Sequence, residues 1–318
     1  MEPYYKYSAY LRDRYGEKTY KLPVNLPLTC PNRDGQLGTE GCFYCGEQAA
    51  GFESEPDESV RKQLLELREY IGDRYKVDKF IAYFQNFTNT YLPINNLKSY
   101  VREALTVDDI VEVILSTRPD CVNYEYLQEI KNMVQTVKPE INLTLELGLQ
   151  TINYRTLENV NRGHSLAQFI DAVLTARTSD FGIGAHLILN LPGDEMIDVK
   201  ENARVLSALR VDNVKLHALY LREGTELARR FKAGELEMIS LEEYIDRVIT
   251  FLRYLDPRIA VQRLIGRAPE EGSVFVNWDM SWWKIHDMII EEMNEREVEQ
   301  GDLFDYLQGS ALDRFNQN

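Results

Sequence analysis

Cysteine is scarce in this 318-residue chain, with four in total, and histidine is equally so. Four cysteines are too few for a disulfide-built scaffold of this length. No run of eighteen apolar residues occurs, which excludes a hydropathy-type membrane helix. Met1-Glu2-Pro3-Tyr4-Tyr5-Lys6 carries no apolar signal core, so the expected compartment is the cytosol. There is no positive excess either: the net charge is −15, against a broad basic face for non-specific polyanion binding. Solenoid repeats and low-complexity tracts are absent as well.

What is present is concentrated. Three of the four cysteines, Cys30, Cys42 and Cys45, fall within sixteen residues, spaced C-x11-C-x2-C. In a reducing compartment such clustering favours metal or redox chemistry. Zinc sites close a tetrahedron with four ligands, commonly in two close pairs. Here there is one close pair, and the nearest downstream histidine is His164. An iron–sulfur cluster with one iron left open fits this spacing better; zinc and simply buried cysteines remain alternatives. Gly35, Gly38, Gly41 and Gly46 would let backbone wrap closely around a bulky group.

Short apolar runs alternate with amphipathic segments, the pattern of parallel βα units. Strands are expected over 21–28, 79–85, 111–116, 143–148, 184–189 and 213–220. Helices are expected over 59–73, 94–105, 124–137, 153–160, 166–178 and 199–209, with Asp57 and Ser59 as candidate caps of the first. Six units are too few for an eight-stranded barrel and suit an open six-stranded barrel or a wound sheet. In both, ligands gather at the carboxyl ends of strands, where Cys30, Asn89, Thr90, Thr117, Gln150, Asn190 and Gly224 fall. The chain divides into an N-terminal extension (1–20), the α/β barrel (21–233) and a C-terminal extension (234–318) holding a helix over 240–255 and a short strand over 258–264.

The cysteine loop, with the first strand before it, resembles that of radical SAM enzymes. The wider pattern resembles the branch that includes the Elongator catalytic subunit and the bacterial YhcC/YtqA-type proteins. Its motifs run in order: Tyr83-Phe84-Gln85 with Thr88-Asn89-Thr90-Tyr91, Thr117-Arg118-Pro119-Asp120-Cys121, Glu146-Leu147-Gly148-Leu149-Gln150, Asn161-Arg162-Gly163-His164, Lys215-Leu216-His217, Gly224-Thr225 and Gln262-Arg263-Leu264. The resemblance implies a partial (β/α)6 radical SAM barrel in which Cys30, Cys42 and Cys45 bind three irons of a [4Fe–4S] cluster. S-adenosylmethionine would chelate the fourth iron and be cleaved to a 5′-deoxyadenosyl radical.

Asn89 and Thr90 stand where relatives hold the methionine amino group. Gln150 and Arg162 match cosubstrate contacts, Arg162 suiting a carboxylate. Ser116 or Thr117 falls where some relatives place a ribose-binding carboxylate, and Asn190 opens the adenine-side turn. The family likeness also implies a flavodoxin- or ferredoxin-type electron donor. It points to tRNA as substrate, with conversion of 5-carboxymethylaminomethyl to 5-aminomethyl at the wobble uridine. A small-molecule or protein substrate, or a non-catalytic metal protein, is the alternative.

Blander roles stand beside these. Arg162 could cap a helix C-terminus, and His186 and His217 could be core histidines. Cys121 suits a buried thiol. Trp282 and Trp283 are expected to pack the extension onto the barrel. Glu146, costly if unpaired inside a strand, is expected to pair with Arg118 or Lys215. A local basic rim is expected from Arg12, Arg14, Lys18, Lys21 and Arg33, and the N-terminal tyrosines are expected to pack rather than stack on bases.

Overall fold

The computed structural model describes residues 2–46, 58–304, 309, 311 and 312, so the expected cap Asp57 lies outside the described residues. In chain order come α1 (Tyr7–Tyr15), β1 (Thr19–Val24), α2 (Val60–Tyr75), β2 (Lys79–Phe84), α3 (Ile94–Leu105), β3 (Ile110–Thr117), α4 (Tyr124–Val137), β4 (Asn142–Gln150), α5 (Tyr154–Asn159) and α6 (Leu166–Thr178). Then follow β5 (Gly182–Ile188), α7 (Met196–Ala208), β6 (Asn213–His217), β7 (Leu221–Arg222), α8 (Glu226–Lys232), α9 (Leu241–Tyr254), β8 (Ala260–Val261), β9 (Ser273–Phe275) and α10 (Trp282–Glu295).

The fold is the expected α/β partial barrel, with a sheet ordered β1-β2-β3-β4-β5-β6-β8. It has seven strands rather than six. The extra one, β8, is two residues long and pairs parallel with β6 through Asn213–Ala260 and Val214–Val261. It lies within the apolar stretch read as part of the C-terminal extension. The chain forms two compact units, one of residues 8–149 and 162–184, the other of residues 1–7, 150–161 and 185–318.

In the first unit, β1, β2, β3 and β4 pair in parallel. Their runs are almost wholly buried, as strands covered on both faces must be: Phe80, Ile81, Ala82 and Phe84, then Val113, Ile114 and Leu115, then Leu145 and Leu147. Pro23 sits on the edge strand β1, where a missing ladder donor does least harm. Ser59 caps α2 by accepting from Lys62 N–H, Asn123 caps α4, and Ser165 with Gln168 forms a capping box on α6.

In the second unit, α9 buries Tyr244, Val248, Phe251 and Leu252 along one face. Trp278 packs against Tyr244 and Phe275 at ring distances of 5.0 and 5.5 Å and donates Nε1–H to Ile239 O at 2.7 Å. That is the packing role expected of Trp282 and Trp283, which instead are 43 % and 51 % exposed. The pair opens α10 on its solvent side, while Ile285, Ile289 and Met293 provide its buried stripe. Tyr4 and Tyr7 are buried in this unit, as the packing expectation for the N-terminal tyrosines requires.

Candidate active site

The cysteine loop follows β1 and is held by its own backbone and by Arg33. Arg33 N–H bonds Cys30 O at 2.9 Å, Gly41 N–H bonds Asn32 O at 2.7 Å, and Cys45 N–H bonds Cys42 O at 2.9 Å. The Arg33 guanidinium donates to Cys45 O at 2.7 Å and Gly46 O at 2.5 Å. Gly41 takes φ +72°, and a Cβ there would meet the Arg33 side chain at 3.1 Å. Arg33 thus clasps the loop.

Two buried guanidinium groups reach the sulfurs. Arg162, in the turn before α6, approaches Cys42 Sγ at 3.6 Å and donates to Gly148 O, on β4, at 2.8 Å. Arg118, just after β3, approaches Cys30 Sγ at 4.0 Å. It is 1 % exposed and clasped by Asp120 through two bonds of 2.9 and 2.7 Å. Asn32 Nδ2 lies 3.8 Å from Cys42 Sγ. His164 Nε2 meets the same Gly148 carbonyl at 2.9 Å. Burial, then repulsion from Arg162 and Arg118, holds its imidazole neutral, with a pKa lowered to about 2.

These segments meet at Gly163. It stands at φ +77°, and a Cβ would come within 3.2 Å of both Arg118 Nη2 and Asn32 Oδ1. The expected αL break is therefore also a point of close approach between the arms that touch Cys30 and Cys42.

Burial opposes ionisation of Cys42, yet Arg162 and Arg118 together lower its pKa. Cys45 goes the other way, to about 11, through burial and the neighbouring Cys42. Among the described residues no three His, Cys, Asp or Glu side chains converge as single-ion ligands do.

Asn89 lies in the loop after β2, where its Nδ2 donates to the carbonyls of Phe84, Asn86 and Ser116 at 3.0, 3.2 and 2.9 Å. Its Oδ1 is buried without a partner, an acceptor suited to an ammonium donor. Thr90 and Thr117 share a hydroxyl bond of 2.6 Å, and Thr90 also bonds Cys121 O at 2.6 Å. Arg162 Nε is likewise buried without a partner, a donor suited to a carboxylate. The orphaned acceptor and donor match the two charged ends of an amino acid, so the unit's residues fit S-adenosylmethionine.

Gln150 and Asn190 belong to the other compact unit. Gln150 ends β4 at φ +75°. Asn190 accepts from Leu219 N–H at 2.6 Å and keeps a buried Nδ2 without a partner. Also there, His186 and His217 lie ring to ring at 5.4 Å, and Arg263 sits 2.7 Å from His217 Nδ1.

Glu146 is ion-paired to Lys21, on β1, a partner the sequence reading did not name; Lys21 also lies 4.5 Å over the Tyr83 ring. Arg118 is held by Asp120 and turned to Cys30, a role not drawn from the sequence. Its signal was the Arg-x-Asp spacing at a strand end, which places both side chains on one short turn.

Residues 30–206 match the model of the radical SAM superfamily, and residues 211–295 match that of the radical SAM C-terminal domain. The chain belongs to the radical SAM superfamily and is an enzyme of that kind; its cofactors are a [4Fe–4S] cluster and S-adenosylmethionine. It is 30 % identical over 309 residues to protein YtqA of Bacillus subtilis, covering 96 % of this chain and 94 % of that one. The tRNA uridine(34) acetyltransferase of Methanocaldococcus jannaschii is 29 % identical over 168 residues, covering 50 % of this chain and 30 % of that protein. The structure of Methanocaldococcus infernus Elp3 shares the fold with a TM-score of 0.67 at 18 % identity, over 89 % of this chain and 64 % of that one. Among the described residues, no helix is long and apolar enough to cross a membrane.

Proposed function

We propose that this enzyme acts on tRNA, converting 5-carboxymethylaminomethyluridine at the wobble position to 5-aminomethyluridine. Cys30, Cys42 and Cys45 hold the cluster. Asn89 and Thr90 would take the amino end of S-adenosylmethionine, Arg162 its carboxylate and Thr117 its ribose. When bound, the two cofactors supply a 5′-deoxyadenosyl radical able to take a hydrogen atom from carbon. A one-electron donor of the flavodoxin or ferredoxin type provides the reductant.

The observation that carries the site is the arrangement of two buried guanidinium groups on the sulfurs of one loop. The tRNA reading is supported by the likeness to the uridine(34) enzyme over half of this chain. A phosphate-compatible surface adds to it. Tyr20 and Tyr75 stack at 4.8 Å, with Lys18 5.1 and 5.5 Å from the two rings and Arg74 5.5 Å from Tyr75. Neither Lys18 nor Arg74 has a carboxylate partner among the described residues. Stacked rings flanked by cations suit single-stranded nucleic acid. Deleting the gene should leave 5-carboxymethylaminomethyluridine accumulated and 5-aminomethyluridine and its derivatives depleted in total tRNA. An unchanged nucleoside profile would point to a small-molecule or protein substrate.

A further inference from the structure

The two guanidinium groups beside the cysteines differ in net charge. Arg118 is neutralised in place by Asp120, whose two bonds and burial make them one unit of no net charge. Arg162 is 7 % exposed and has no carboxylate partner among the described residues. Its contacts are Gly148 O and Cys42 Sγ, and what opposes its charge is the Cys42 sulfur, with Tyr44 and Cys30 nearby. An uncompensated buried cation is costly unless a negative group faces it. The loaded cysteine loop provides that group.

Iron–sulfur potentials follow the net charge around the cluster and the hydrogen bonds to its sulfurs. A fixed positive charge 3.6 Å from a ligating sulfur favours the reduced state, which carries one more negative charge. The ion pair at Cys30 supplies a donor and no net charge.

We propose that Arg162 is a positioning residue that sets the ease of cluster reduction through Cys42, while the Arg118–Asp120 pair, which carries no net charge, holds Cys30 and bears on that ease less. This role stands apart from any contact of Arg162 with S-adenosylmethionine. It rests on the family's cluster and not on the tRNA reading, so it survives if that reading fails.

The test is an EPR-monitored redox titration of the reconstituted, anaerobic protein in the absence of S-adenosylmethionine. Arg162→Lys should hold about four irons per chain and titrate close to the unaltered protein. Arg162→Gln keeps a donor for Gly148 O but loses the charge. Its reduced-to-oxidised ratio at fixed potential should fall about tenfold, or about 59 mV for one electron. Arg118→Met/Asp120→Leu, which changes net charge by nothing, should shift that ratio less than about threefold. A folded Arg162→Gln protein that holds no iron, beside a loaded Arg162→Lys, overturns the proposal, because it assigns Arg162 to cluster retention instead. Equal potentials for Arg162→Gln and the unaltered protein overturn it, as does a Lys variant that behaves like the Gln variant.

Discussion

Replacing Arg118 by methionine should destabilise the protein heavily, through the partner left behind. The Asp120 side chain is 6 % exposed and meets Arg118 through both oxygens. Without the guanidinium, a buried carboxylate loses its counter-charge. Breaking one side of a buried pair costs roughly 3–5 kcal/mol. That is a large part of the ~5–15 kcal/mol that holds a typical domain folded. An unfolding entropy of about 2.1 cal/mol/K per residue gives ~0.7 kcal/mol/K for 318 residues, so Tm should fall by about 4–8 °C. Thermal unfolding of the reduced apoprotein by circular dichroism measures this without contribution from the cluster. Arg118→Met/Asp120→Leu should recover most of the loss, because a well-packed apolar pair can match a buried ion pair. A single variant within about 2 °C of the unaltered protein, or a double variant no better than the single, would refute the reasoning.

Gly163→Ala forces an L side chain to φ +77° and drives a Cβ toward Arg118 and Asn32; a loss above ~1 kcal/mol is expected in denaturant titration, together with weaker iron retention. Asp194 is buried, and burial lifts its carboxyl pKa to about 6 against the pull of the Thr156 and Thr151 hydroxyls. A raised carboxyl pKa means that stability present below about pH 4 is lost as pH climbs through about 6, by roughly 3 kcal/mol in total. Asp194→Asn should flatten that segment of the stability–pH curve. On the Lys18 and Arg74 surface, replacing each cation by serine should weaken tRNA binding, and removing one cation–phosphate pairing should lower the log–log salt slope by about 0.7; an unaltered slope would remove this surface from the interface.

The fold was legible because burial on both faces of parallel strands leaves unbroken apolar runs such as 80–84 and 113–115, which no other arrangement explains as simply. Ser59 marked a helix start for the same local reason it caps it: a short side-chain oxygen meets an orphan N–H. The strand expected over 258–264 is present as the two-residue β8, but its place in the sheet was hidden, since its pairing with β6 is set by tertiary contact. Among the site residues, the cysteine loop could be read from spacing alone. The partners of Glu146 and Arg118 could not, because strand order decides which charges become neighbours: Lys21 and Glu146 lie 125 positions apart. Trp282 and Trp283 misled because hydrophobic size says nothing of which face of α10 turns inward; Ile285 and Ile289 settle that.

The central claim is that Cys30, Cys42 and Cys45 load a cluster that serves chemistry on the wobble uridine. Its most direct test is anaerobic incubation of the reconstituted, reduced enzyme and S-adenosylmethionine with tRNA bearing 5-carboxymethylaminomethyluridine, followed by mass spectrometry of the nucleosides. The account predicts 5-aminomethyluridine appearing together with 5′-deoxyadenosine, and neither product from a variant with any one of the three cysteines changed to alanine. Release of 5′-deoxyadenosine with the tRNA left unchanged would contradict it.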